Sequence, residues 1–347
     1  MKNNNINKLK ALACYMVVLN HFHPGGVLGN ITYAISHYGV PVFFVISGYF
    51  FFDKEENLPW KRLYSKVKHI ALLLILHVVL YVSYEVIASL VSGETFAVAV
   101  NGLRAYFNSK TFIKALVFGT GIMGGGEWFL VSLLEAYVVI GILARNVKIK
   151  GLIVRYSHFI AILLFLVHIP IRMYVVKSGV ESVGLIKLTE SWCVRNTWLD
   201  AIPFLLLGIS IRRNKNCKTS HPLFISIFAM VIAVGECFFS KEMLAPQSIS
   251  TVLYIGIIVA VVSSFIWAVS CNCEDNILAR IGDRYSMLIY FLHPIVGWVL
   301  KSIIKTSSAL FEMGFYIIVV VATTFVSIIV FRCREVSKKG FEQWKRR

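Results

Sequence analysis

The chain is 347 residues long, 57% hydrophobic and 15% charged, with a mean hydropathy of +0.73. A soluble globular protein is about 45–50% apolar with about 25% charge, so that class is excluded and a polytopic membrane protein is implied. The formal charge of +17 does not argue for nucleic acid, because no basic tract is interleaved with aromatics as a nucleic-acid groove requires; excess Lys and Arg in a membrane protein reads first as the cytoplasmic bias that sets topology.

The first apolar stretch, about 8–24, organises the rest. Lys10 stands at one end and Asn20, His21 and His23 at the other. Eleven positions separate Lys10 from His21, so on a helix they lie within roughly 20° of each other and about 16 Å apart along the axis. Ionisable groups in lipid are costly and point to function. The stretch lacks a small-residue cleavage site and further spans follow it, so it is expected to stay in the protein rather than leave as a signal peptide.

A hydrocarbon core of about 30 Å needs roughly 17–25 apolar residues per helix. Ten spans are expected: 8–24, 34–52, 69–91, 127–144, 156–176, 197–211, 222–240, 250–270, 285–304 and 312–331. The sixth is short and contains Pro203, and the less apolar 97–118 reads as interfacial helices. The fold class is therefore all-α, a polytopic transmembrane helix bundle of about ten spans. With no Pro/Ser-rich linker, low-complexity stretch or visible repeat, residues 1–347 read as one integral-membrane domain.

The loops also assign a sidedness. Of the 35 Lys and Arg residues, 25 fall on one side together with both termini and nine on the other, with Arg172 inside the fifth span. Both termini are thus expected in the cytoplasm, with Lys10 on the inner side and His21 towards the outside. The seven cysteines (Cys14, Cys193, Cys217, Cys237, Cys271, Cys273 and Cys333) show no metal-ligand spacing and read as unpaired packing thiols. No P-loop, GxSxG, HExxH or Rossmann fingerprint is present.

Four stretches carry a resemblance. Ile6 to Phe22 places Lys10, ten residues and then His21; Gly39 to Tyr49 reads GVPVFFVISGY; Glu127-Trp128-Phe129-Leu130 is followed by Tyr137; and Ser286 leads to Tyr290 and His293-Pro294. In this order and spacing they resemble the acyltransferase 3 family of integral-membrane O-acyltransferases. Lys10 departs from the family's usual Arg, keeping the charge and losing the planar two-pronged grip. The resemblance implies a membrane acyltransferase moving an acyl group, most often acetyl, from cytoplasmic acyl-CoA to a hydroxyl of a cell-surface or lipid-linked glycan, in the cell membrane of a bacterium. It implies acyl-CoA as donor, no metal, and a glycan and membrane lipids as partners.

Under that resemblance His21 is the general base, its unperturbed pKa near 6.5 suiting proton removal from a sugar hydroxyl at neutral pH, or a transient acyl acceptor; otherwise it is a histidine hydrogen-bonded to a neighbouring helix. Lys10 acts separately, on donor phosphates or at the cytoplasmic entrance. Ser47-Gly48 reads chiefly as a close helix crossing with a cross-helix hydroxyl bond. Glu127, with Trp128 beside it, either touches acceptor hydroxyls or favours a helix dipole. His293 either lines the pathway or caps a carbonyl freed by Pro294. His168 and Arg172 share a helix face; Arg172 holds a phosphate or pairs with Glu85 or Glu135. His77 is a further intramembrane candidate, while His23 and His69 read as interfacial. The inner loop Lys61–His69, with Arg62, Lys66 and Lys68, either neutralises coenzyme A phosphates or is plain topology signal. A transporter or flippase for a glycan or small polar solute, using the same polar groups as a binding site, is the alternative.

Cysteine labelling is expected to place Lys66, Lys148, Lys215 and the C-terminus inside, and Gly26 and Val183 outside. External labelling of the C-terminus overturns the orientation.

Overall fold

The computed structural model describes residues 3–53, 57–123, 126–178, 196–214, 219–243, 255–271, 273–304 and 309–345. Among these, every regular element is helical. In chain order the helices are α1 (Asn4–His21), α2 (Gly26–Ser36), α3 (Gly39–Tyr49), α4 (Trp60–Val91), α5 (Phe96–Gly102), α6 (Ser109–Phe118), α7 (Trp128–Leu143), α8 (Val147–Ser178), α9 (Ile202–Arg213), α10 (Pro222–Met243), α11 (Ile255–Ser270), α12 (Ile277–Arg284), α13 (Ser286–Ile303) and α14 (Ala309–Lys345). Among the described residues, six apolar segments are long enough to cross a membrane: Gly26–Tyr49, Trp60–Val91, Val147–Met173, Pro222–Ser240, Ser286–Ile303 and Gly314–Val336; Trp128–Leu143 and Ile255–Ser270 are apolar and shorter. The all-α membrane bundle expected from composition is what these helices form.

The chain divides into two units. The first comprises Met1–Val42, Thr219–Val234 and Gly256–Arg347, and α1 is its axis. Asn3 caps α1, accepting from the backbone N–H groups of Asn5 and Ile6, which answers amides that a helix start leaves without partners. The Asn3 amide donates to the Ala268 carbonyl at 2.8 Å and that of Asn5 to the Cys271 carbonyl at 2.9 Å. α1 packs against α2, α12, α13 and α14. α12 comes closest, because Gly282 has no Cβ to strike the Asn7 carbonyl. The Tyr38 hydroxyl meets that of Ser264 at 2.7 Å, tying the α2–α3 junction to α11.

The second unit comprises Phe43–Lys218 and Gly235–Ile255. Its tightest crossing is reciprocal: a Cβ on Gly48 of α3 would strike the Leu205 carbonyl of α9, and one on Gly208 of α9 would strike the Val45 carbonyl of α3. Small residues permit this approach where lipid provides no hydrophobic drive between helices. α9 also packs against α8, with Phe165 and Phe204 edge to face at 5.0 Å.

Several expected boundaries shift. The 34–52 span is two helices, α2 and α3, separated at His37–Tyr38. The segment Lys61–His69, read as an inner loop, forms the first turns of α4; at 1.5 Å per residue this helix is about 48 Å long, so its basic turns can extend past a hydrocarbon core of about 30 Å. Residues 97–118 are as expected, the short helices α5 and α6 with no long span. Pro203 does not interrupt the sixth span: it lies in the first turn of α9, after a single π turn at Thr197–Ala201, where its missing N–H costs nothing. α8 kinks at Tyr156 (φ −115°, ψ 15°).

Cys14 and Cys237 are buried, but Cys271, Cys273 and Cys333 are exposed, so these three are not packing residues: the first two lie just beyond the end of α11 and the third on an exposed turn of α14. Cys193, Cys217, Val183, Lys187, Arg195, Lys215 and Lys305 lie outside the described residues.

Overpacking typically costs about 1–3 kcal/mol. Gly48→Leu is expected to lower the thermal midpoint of the purified protein in detergent, whereas Gly151→Ala, whose Cβ would meet nothing within 4 Å, is expected to leave it unchanged. An unchanged midpoint for Gly48→Leu contradicts the crossing.

Candidate active site

α1 carries both Lys10 and His21 without interruption. Lys10 is half-buried, and His21 is exposed in the last turn. Beside His21 stands His293, buried in α13, with ring centroids 5.1 Å apart and planes inclined at 52°. Pro294 follows His293 inside α13. Having no N–H, it leaves the Tyr290 carbonyl without its usual donor four residues on. His293 Nδ1 lies 2.8 Å from that oxygen and 3.1 Å from the Ile289 oxygen. Carbonyls only accept, so Nδ1 carries a proton. Gly297, one turn on, leaves room for the Phe22 ring at the end of α1. The capping alternative for His293 is thus what the geometry shows, and it brings the ring next to His21. His23 turns elsewhere, 3.1 Å from the Pro24 carbonyl and edge-on to Tyr33 at 5.0 Å.

The second unit holds a separate buried polar group. Glu127, immediately before α7, is fully buried, with Oε2 3.7 Å from Nε2 of buried His77 in α4. Its Oε1 accepts from the Met123 N–H, and it makes no side-chain cap bond to α7. The His77 ring stacks on Tyr81 at 4.3 Å. Glu127 and His77 thus lie side by side in the buried interior of the second unit. Trp128 is half-buried, edge-on to Phe44 at 6.1 Å. His168 and Arg172 are both buried on α8, which packs against the π turn containing buried Asp200. Glu135 accepts from the Thr197 hydroxyl; Gly119, whose Cβ would strike Thr197, lets these groups meet.

The basic residues at the start of α4 divide by role. Arg62 donates to the Phe50 and Phe52 carbonyls, each at 3.1 Å, and so fastens the chain leaving α3. Lys66 lies 5.4 Å from the centre of the Tyr137 ring, and Lys68 is exposed. Arg145 covers Trp60 at 4.9 Å and Arg212 covers Tyr49 at 5.0 Å. The close approach expected at Gly48 is present, where a Cβ would strike the Leu205 carbonyl.

His21 and His293 are thus joined within the first unit. Glu127, Trp128, Ser47, His168, Arg172, Arg62, Lys66 and Lys68 all belong to the second. Tyr81 and Asp200 were not singled out in the sequence. Tyr81 stands four positions after His77 on one helix face, and Asp200 is a lone acid in an apolar stretch; those were the available signals. Among the described residues no group of three or more His, Cys, Asp or Glu side chains is placed to hold a metal ion.

No curated protein and no solved structure matches the chain. The family model for the acyltransferase domain of the acyltransferase 3 family matches residues 3–332, a range that takes in both histidines and every polar group described above. The chain therefore belongs to the acyltransferase 3 family of membrane acyltransferases.

Proposed function

We propose that the protein transfers an acyl group, acetyl in the first instance, from acyl-CoA to a hydroxyl of a cell-surface or lipid-linked glycan, in the plasma membrane of a bacterium with both termini in the cytoplasm. The observation that carries this reading is the pairing of His21 with His293 at the end of α1, on the same helix as Lys10. His21 removes the proton of the acceptor hydroxyl as its oxygen attacks the thioester carbonyl. The C–S bond then breaks, and the coenzyme A sulfur takes that proton from His21. The products are an ester and a free thiol.

Lys66 and Lys68 neutralise donor phosphates. Arg62, already committed to two carbonyls, positions the turns that carry them. Lys10 lies about 16 Å from His21 by helix rise. It therefore acts on the donor or at the cytoplasmic entrance, away from the reacting atoms. Glu127, Trp128, His168 and Arg172 recognise the acceptor. A carboxylate accepts from sugar hydroxyls, an indole face packs on a sugar ring, and a guanidinium suits a lipid-linked phosphate.

Purified protein given labelled acetyl-CoA and a membrane glycan extract is expected to transfer label to the glycan. Movement of glycan across the membrane with no thioester cleavage would favour transport instead. Neutralising Lys66 and Lys68 together is expected to raise the donor KM at unchanged protein level; an unaltered KM returns them to topology signals. Lys10→Arg is expected to keep much of the activity, and Lys10→Ala to weaken donor use more than acceptor use, in the same assay with each substrate varied in turn.

A further inference from the structure

Binding a sugar ring takes an aromatic surface for its C–H side and polar groups for its hydroxyls. One place in the second unit offers both, with residues that the acyl transfer proposed above leaves unused. α6 ends at Gly119, which is in the left-handed conformation (φ 67°) and whose carbonyl accepts from the Ser132 hydroxyl of α7 at 2.8 Å. Glycine is required here twice over, because a Cβ would also strike the Thr197 hydroxyl and crowd Glu135 Oε2. Thr197 opens the π turn Thr197–Ala201 and donates to that same oxygen. The next residue, Trp198, donates its indole N–H to the Val117 carbonyl of α6 at 2.9 Å. α6, α7 and the π turn are therefore tied together at one point, and π turns are rare elements found frequently at functional sites.

Two properties of this junction exceed what holding three elements together needs. Glu135 lies midway along apolar α7 and is only half-buried, and among the described residues Thr197 is its one hydrogen-bond donor. A carboxylate open to hydrocarbon is costly, so its open side belongs to a polar passage rather than to lipid. Trp198 is 48% exposed although its one polar atom is already satisfied, so what it leaves open is the carbon surface of the ring. We infer that Glu135 and Trp198 form an acceptor subsite that binds a sugar ring. The ring packs its C–H side on the Trp198 indole, and one of its hydroxyls donates to Glu135 Oε1, the oxygen that Thr197 does not hold. Thr197 fixes the direction of the carboxylate through Oε2, and the Val117 carbonyl fixes that of the indole. Neither Glu135 nor Trp198 exchanges a proton with the reacting atoms; they decide which acceptor is held.

This inference rests on the acceptor being a glycan, and two readouts on the full chain in lipid nanodiscs separate the claims. The first is saturation-transfer NMR with the methyl glycosides of glucose, galactose and N-acetylglucosamine as probes, and glycerol as a control that has hydroxyls and no ring. Saturation of ring C–H protons is expected for at least one glycoside and not for glycerol, and it is expected to be lost in Trp198→Leu and partly kept in Trp198→Phe. The second is transfer from labelled acetyl-CoA to a membrane glycan extract, normalised to inserted protein. Glu135→Gln and Trp198→Leu are each expected to raise the acceptor KM about tenfold, the loss of one charge-assisted hydrogen bond or one ring contact, with the donor KM unchanged. Glu135→Gln keeps an oxygen for the Thr197 hydroxyl, so it tests the charge without untying the junction. No saturation from any of the three glycosides overturns the inference, as does a wild-type acceptor KM in both Glu135→Gln and Trp198→Leu, even where kcat falls. If the wild type transfers label and both variants keep its acceptor KM, the transferase reading stands and this inference alone fails. If the glycosides bind through Trp198 and no label is transferred, the subsite stands and the transferase reading fails.

Discussion

Hydrocarbon offers no hydrogen bonds, so each backbone amide and carbonyl in a spanning segment must find its partner inside the protein. Most do so within their own helices. Where a helix is interrupted, a side chain takes over, and in this chain the side chain that does so is also one suited to chemistry. Pro294 leaves the Tyr290 carbonyl without its amide, and His293 turns its ring to answer it. In doing so the ring is held with its centroid 5.1 Å from that of His21. The capped carbonyl and the pairing of the two rings are two consequences of one proline.

The same constraint explains how polar groups are distributed elsewhere. Buried Glu127 is received by the Met123 N–H, with His77 3.7 Å away, and half-buried Glu135 accepts from the Thr197 hydroxyl. At the start of α4, arginine is used where carbonyls need a donor, as Arg62 serves Phe50 and Phe52, while Lys68 is left to solvent. An Arg can satisfy two carbonyls at once through its forked guanidinium, which a lysine does with less geometric certainty. Helix contacts then follow from what glycine permits: the crossings at Gly48, Gly208 and Gly282 are close because no Cβ intervenes.

Much of this was legible before any coordinates. The membrane class followed from composition, and α1, with Lys10 and His21 eleven apart on one face, followed from periodicity. Ser47-Gly48 announced a close crossing, while His293-Pro294 left the cap of a freed carbonyl as one of two readings, the other being a group lining the pathway. What the sequence concealed has physical reasons. Helix α12 is eight residues long and amphipathic, too short to register against the long apolar runs, yet it is a principal neighbour of α1. The basic turns of α4 resembled a loop because helical propensity does not distinguish Lys and Arg in solvent from Lys and Arg in a first turn. That His77 stacks on Tyr81 and reaches Glu127 depends on the packing of α4 against α7, which no spacing within either helix encodes.

The central claim is that a histidine at the end of α1 performs proton transfer in acyl transfer from a thioester. It is tested most directly by counting free coenzyme A thiol and acylated product together in a single turnover, for the wild-type protein and for His21→Ala inserted at the same level. The account predicts one thiol per ester in the wild type and a rate lower by about 10² to 10⁴ in the variant. Thiol and ester appearing at the wild-type rate from His21→Ala would contradict it.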